Sequence, residues 1–116
     1  MIPLGRGDPD FHTPKHIVEA AKKALDDNKH HYTPPNGLPE LRVAISKNLQ
    51  EKYNLNYSEN EIVVTAGVQE SIALAMLSLL ETGDEVLITS PRFTTYDLSV
   101  RMCNAKPIPS PTYEKN

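Results

Sequence analysis

The chain has 116 residues, a length that suits one domain, with 39% hydrophobic and 23% charged residues. Its net charge of -3 offers no basic field for nucleic acid or an anionic membrane surface, and no apolar run approaches the ~18 residues of a membrane span. The start, MIPLGRGDPDF, has no apolar signal core, and Cys103 is the single cysteine, so a cytoplasmic, reducing setting is expected.

The ten prolines cluster near residues 3–14, 34–39 and 107–111, where they punctuate segments. Residues 1–13 read as an extended arm, because Asp8-Pro9 and Thr13-Pro14 push the residue before each proline out of the helical region. Thr13 fits a helix N-cap with Pro14 at the first helical position. Ile17, Val18, Ala21 and Leu25 then recur at helical spacing, which predicts a helix ending near Asp27. HHYTPPNG is a loop. A second helix opens near Leu38-Pro39, with Leu41, Ile45, Leu49 and Tyr53 on one stripe and Ala44 beside it. Ser58 and Glu61 have capping-box spacing, but a strand pattern follows, so NYSEN is read as a turn.

Residues 62–65, the run IVVT, predict a first strand, and residues 68–80 predict a helix that is apolar nearly all round and therefore buried. Gly83 is placed as the left-handed residue that stops this helix. Residues 85–89 hold Val86, Leu87 and Ile88 in a row, the pattern of a strand covered on both faces. A helix over 94–103 and a weak third strand near 105–108, restricted by Pro107 and Pro109, complete the chain. The order α, α, β, α, β, α, β predicts an α/β sheet with helices on its faces.

In such a sheet, ligands gather beyond the carboxyl ends of the strands. The turn Ala66-Gly67-Val68-Gln69 lies at one such end and opens a helix, whose first N–H groups and dipole favour an anion. Neither a G-x-G-x-x-G nor a Walker loop is present. From the turn alone, a plain strand-to-helix connection and an anion site both stand. Phe93, just past the second strand, is either core or a ring that lies on a flat ligand. Gly7 allows close backbone approach in the arm, or is a simple turn residue. Tyr32 offers a phenol to a phosphate, or packs on Pro34 and Pro35. The histidines give no metal pattern: His12 precedes the helix that carries His16, and His30-His31 has only Asp26 and Asp27 near it in sequence.

Four stretches, LGRGDPDFHTP, HYTPPNGLPELRVAI, EIVVTAGVQESI and LLETGDEVLITSPRFTTY, occur in order over residues 4 to 109. Together they resemble the N-terminal part of the class I/II aminotransferases, the fold-type I pyridoxal-phosphate enzymes. The resemblance implies an aspartate-aminotransferase-like α/β fold in part. Residues 1–30 would be an arm and helix of the small domain, and 31–116 the start of the large cofactor-binding domain. It implies that Ala66, Gly67, Val68 and Gln69 bind the phosphate of pyridoxal 5′-phosphate, with N–H groups from Val68 and Gln69. Phe93 would stack on the pyridine ring, where the family more often has Tyr or Trp. Tyr32 would reach the phosphate of a neighbouring subunit in a homodimer, and Gly7 would lie near the substrate carboxylate. Tyr96 would serve packing. Gln69 and Glu70 stand where some members place Ser, Thr or Lys.

The resemblance also implies what is missing. The Schiff-base lysine, the aspartate for the pyridinium nitrogen and the arginine for the substrate carboxylate match no residue here, so no catalytic residue is assigned. Lys47 lies with Ser46 on the solvated side of the second helix, and Lys106 lies in the weak strand. In the resembled fold the first strand lies apart from the other two, so residues 62–65 would have no sheet neighbour, and the chain alone is expected to be poorly stable. The expected function is an inactive N-terminal portion of an enzyme that transfers amino groups between an amino acid and a 2-oxo acid. Related fold-type I lyases and synthases share these motifs. The alternatives are a non-catalytic module that pairs with an intact homologue, and a small phosphate-ligand binding domain.

Overall fold

A computed structural model describes residue 5 and residues 7–114, and these form two compact units, 1–33 and 34–116. In the first unit, helix α1 (Lys15–Asp26) buries none of its residues. Its N-cap is Pro14, not the expected Thr13, and no side chain caps it. The reason is in the ladder: the Pro14 carbonyl is the first acceptor, taking the N–H groups of Ile17 at 3.0 Å and Val18 at 3.2 Å. Lys23 pairs with Asp27 at 2.8 Å across the last turn, where a cation also suits the helix dipole.

The second unit opens with α2 (Pro39–Tyr53), which has Pro at its start and Asn54 in the left-handed region at its end. Ile45 and Leu49 of the expected stripe turn inward, joined by Arg42 and Ser46, while Leu41 and Tyr53 stay exposed. Polar bonds explain the two additions. Arg42 is buried and its Nη1 donates to the Glu59 carbonyl at 2.6 Å, while the Ser46 hydroxyl, expected to be solvated, donates to the Tyr57 carbonyl. The expected turn at 56–60 tightens into a 3-10 turn, Glu59–Glu61, closed by the Ser58–Glu61 capping box in full. The Ser58 bonds hold the Glu61 carboxyl below its ordinary range.

The expected first strand, residues 62–65, enters no sheet; Ile62 is extended, and the Val64 N–H donates to the Asn36 carbonyl at 3.1 Å. Gly37 makes that contact possible. It has φ +95°, and a Cβ there would lie 2.7 Å from the Val64 Cβ.

Helix α3 (Val68–Leu79) follows, and then the described residues form one sheet of two strands, β1 (Glu85–Ser90) and β2 (Lys106–Pro111), joined by α4 (Thr95–Met102). The strands are parallel, with Glu85 opposite Lys106 and Ser90 opposite Pro111. A Lys106–Glu85 ion pair at 2.9 Å marks the start of that register. Pro107 and Pro109 do not prevent the pairing, because a strand at the end of a ladder can leave their missing donors on its open side. Val100 of α4 has no exposed surface, and Ser99 and Ala105 beside it are buried.

Two burial expectations and one helix stop are corrected. Helix α3 has no buried residue, and Leu79 is 76% exposed; Leu87, in the strand expected to be covered on both faces, is also 76% exposed. Apolar residues report that a face needs covering, but a two-stranded sheet and one packed helix supply too few elements to cover them. Gly83 does not stop α3, which ends at Leu80 in an extended conformation. It instead turns the chain into β1 with φ +95°, and donates to the Asn104 carbonyl at 3.0 Å. Among the described residues, no helix is long and apolar enough to cross a membrane.

Amide hydrogen exchange should be slowest in the β1–α4–β2 unit and fast in α1, since only the former surrounds buried side chains. The whole chain should melt broadly; a sharp transition at high temperature would contradict this distribution of burial. Gly37→Ala should lower stability by roughly 1–3 kcal/mol, because it combines positive φ with a clash on Val64.

Candidate functional site

The site is built where β1 ends and where α3 begins. A cavity of about 460 Å³ is lined by Ala66, Gly67, Val68, Gln69 and Ile72 on one side and by Phe93, Thr95 and Tyr96 on the other. That volume falls within the range of small-ligand sites, about 300–1,000 Å³.

The turn owes its shape to Gly67, whose φ of +83° and ψ of 170° occupy a region that is essentially restricted to glycine. The Gly67 carbonyl accepts the Thr65 hydroxyl at 3.0 Å, and the Thr65 and Ser71 hydroxyls lie 2.6 Å apart. The Ala66 N–H donates to the Glu70 carboxylate, which reaches back one residue further than a capping box does. Val68 and Gln69 are the first two residues of α3, so helix geometry gives their N–H groups no intrahelical acceptor. These two donors and the positive end of the helix dipole open on the cavity rim.

The opposite wall is set by an ion pair. Arg92 donates from Nε to Asp97 Oδ2 at 2.6 Å and from Nη2 to Asp97 Oδ1 at 2.7 Å. This fork holds the Asp97 carboxyl below the ordinary aspartate range, with help from the charges of Arg92 and Arg101, and raises the Arg92 guanidinium. Phe93 follows directly and is 62% exposed. The Thr95 hydroxyl oxygen is buried beside the cavity with no hydrogen-bond partner in the protein.

The expected site residues Ala66, Gly67, Val68, Gln69 and Phe93 therefore share one cavity. Tyr32 and Gly7 belong to the first unit. There Tyr32 is fully exposed and lines a smaller cavity with His30 and His31, and the space around Gly7 is open. Tyr96, expected to serve packing, lines the main cavity, and Ile72 and Thr95 join it without having been foreseen. Ile72 sits one helical turn after Val68, so the spacing was a usable signal; Thr95 had none, because its burial depends on how α4 packs. Among the described residues, no group of three or more His, Cys, Asp or Glu side chains is placed to hold a metal ion.

The model of the family "Aminotransferase class I and II" matches residues 1–116. The chain belongs to the class I and II aminotransferases. It is similar to a probable aspartate aminotransferase of Methanocaldococcus jannaschii, 54% identical over 95 residues, which cover 82% of this chain and 25% of the relative. The aspartate aminotransferase of Pyrococcus horikoshii is 46% identical over 116 residues, 100% of this chain and 30% of that protein. Among solved structures, an aromatic aminotransferase from Pyrococcus horikoshii superposes with a TM-score of 0.90 at 41% identity, over 95% of this chain and 30% of that one. A Thermus thermophilus aspartate aminotransferase mutant gives 0.90 at 35% identity, over 95% of this chain and 29% of its own. The fold is thus part of the aspartate-aminotransferase-like fold, and the chain spans about 30% of the length of the relatives it matches.

The depressed Asp97 carboxyl gives a pH test. A group whose folded value is lowered adds stability above its ordinary range and loses it as pH falls through the lowered value. Protection of the α4 amides should therefore fall in acid, below the ordinary carboxylate range. Asp97→Asn should remove that dependence, and an unchanged acid profile would contradict the ion pair.

Proposed function

We propose that this chain forms the phosphate- and ring-binding part of a pyridoxal 5′-phosphate-dependent aminotransferase, which moves an amino group between an amino acid and a 2-oxo acid. One observation carries the reading. In a chain that matches the aminotransferase family throughout, the Gly67 turn and Phe93 line the same cavity.

The residues present fit part of the cofactor. The N–H groups of Val68 and Gln69 suit a phosphate, and Phe93 suits a flat ring. When bound in a complete enzyme, pyridoxal phosphate supplies the electron sink for chemistry at the amino acid's α-carbon. This chain's residues supply binding and orientation. No lysine lines the cavity; Lys106 pairs with Glu85 at 2.9 Å, and Lys47 lies 3.8 Å from Glu51. Attachment through a lysine therefore falls outside what these residues do.

The reading extends to the assembly. Residues 1–30 are assigned to the small domain and 31–116 to the start of the cofactor-binding domain. Tyr32 is assigned to the cofactor phosphate of a second subunit in a homodimer; its full exposure supports this, since its own unit makes no packing use of it. Gly7 is assigned to the substrate carboxylate, and the open space around it supports close approach of a ligand.

Titrating the chain with pyridoxal phosphate should give saturable, non-covalent binding with a Kd of about 1 mM or weaker. A helix terminus contributes up to about 2 kcal/mol and a stacked ring about 0.5–1.5 kcal/mol. Gly67→Ala should weaken it further. Covalent attachment to one lysine, abolished by a single Lys substitution, would contradict the assignment.

A further inference from the structure

We propose that Arg92 and Asp97 act together as a positioning pair: the fork fixes the backbone that carries Phe93 and so presets the ring for a flat ligand, while Arg92 itself is no anion ligand. This rests on the cofactor reading above.

The argument starts from exposure. A buried ring is held by its neighbours, but Phe93 is 62% exposed, so packing alone cannot hold it. Its placement depends on the backbone between the end of β1 at Ser90 and the start of α4 at Thr95. One main-chain bond inside that link is long: the Phe93 carbonyl accepts the Tyr96 N–H at 3.3 Å. The strong tie is the fork, with two bonds of 2.6 and 2.7 Å that span Phe93 from the residue before it to the third residue of α4. Asp97 in the first turn of α4 also suits the helix dipole, so the anchor end is fixed. Arg101, one turn further on, adds positive charge near the same carboxylate.

The same geometry takes Arg92 out of anion recognition. Both nitrogens that form the fork point at Asp97, so the guanidinium charge is balanced inside the protein. A phosphate at the start of α3 is then met by backbone N–H groups, and Arg92 acts on the ligand only through Phe93.

Two probes separate the roles: pyridoxal phosphate, which has a ring, and inorganic phosphate, which has none. With the full 116-residue chain, Arg92→Ala and Asp97→Ala should each weaken pyridoxal phosphate about three- to ten-fold and reduce its induced circular dichroism, while inorganic phosphate binds unchanged. The double variant should be no worse than either single one. Arg92→Lys keeps the charge but loses the fork, and should fall between wild type and Ala. Asp97→Glu keeps the carboxylate and should restore most of the signal. Weakening of both probes by Arg92→Ala, with both strengthened by Asp97→Ala, would make Arg92 an anion ligand and overturn the proposal. Equal weakening of both probes in both Ala variants would indicate general loss of structure and also overturn it. If the wild-type chain binds neither probe, the cofactor reading fails, and the pair is decided on the ligand-free protein by NMR. There Asp97→Asn should move the Phe93 ring resonances toward random-coil values while the amides of residues 98–102 keep theirs; unmoved Phe93 resonances would overturn the proposal.

Discussion

The parallel pairing of β1 with β2 is the constraint on which the second unit depends. Two parallel strands cannot be joined by a tight turn, so the chain must cross over, and α4 is that crossover. The register, from Glu85 opposite Lys106 to Ser90 opposite Pro111, sets where α4 lies, and α4 buries Val100 beside Ser99 and Ala105. The register also fixes the point where the chain leaves the sheet. Arg92, Phe93 and the first turn of α4 follow from that point, and α3 packs against α4. The cavity is the space left between the ends of these two helices.

What shapes the cavity is mostly backbone. Gly67 holds a conformation that other residues reach only with strain, and this conformation leaves the first N–H groups of α3 free for a ligand. The side chains around the turn stabilise its shape: Thr65 and Ser71 join hydroxyls, and Glu70 engages the Ala66 N–H. On the other wall, the Arg92–Asp97 fork performs the comparable task for Phe93. Both walls follow one rule, in which a group with little burial is held by hydrogen bonds between its own neighbours in sequence.

Membership of the aminotransferase family explains the imbalance between composition and burial. Helix α3 is apolar nearly all round, yet none of its residues is buried, and Leu87 stands exposed on a strand. Residues 62–65 are β-branched without a sheet partner. These are the marks of elements suited to a larger α/β sheet, and the matched relatives are more than three times as long as this chain.

The sequence by itself determined the helices to within about two residues, the second and third strands, the family, and five residues that line the cavity. Each of these depends on local chemistry: periodic apolar residues, prolines at helix starts, a glycine at a tight turn, and motifs in a fixed order. The missing sheet partner of residues 62–65 was expected from the family's strand order, and the structure leaves them outside the sheet. Tertiary structure alone decided the rest. It turned Arg42 of α2 inward beside Ile45 and Leu49, because the Glu59 carbonyl that accepts from it is placed by the turn that follows. It brought Thr95 and Tyr96 into the cavity, because that lining exists only once the crossover helix is seated on its strands.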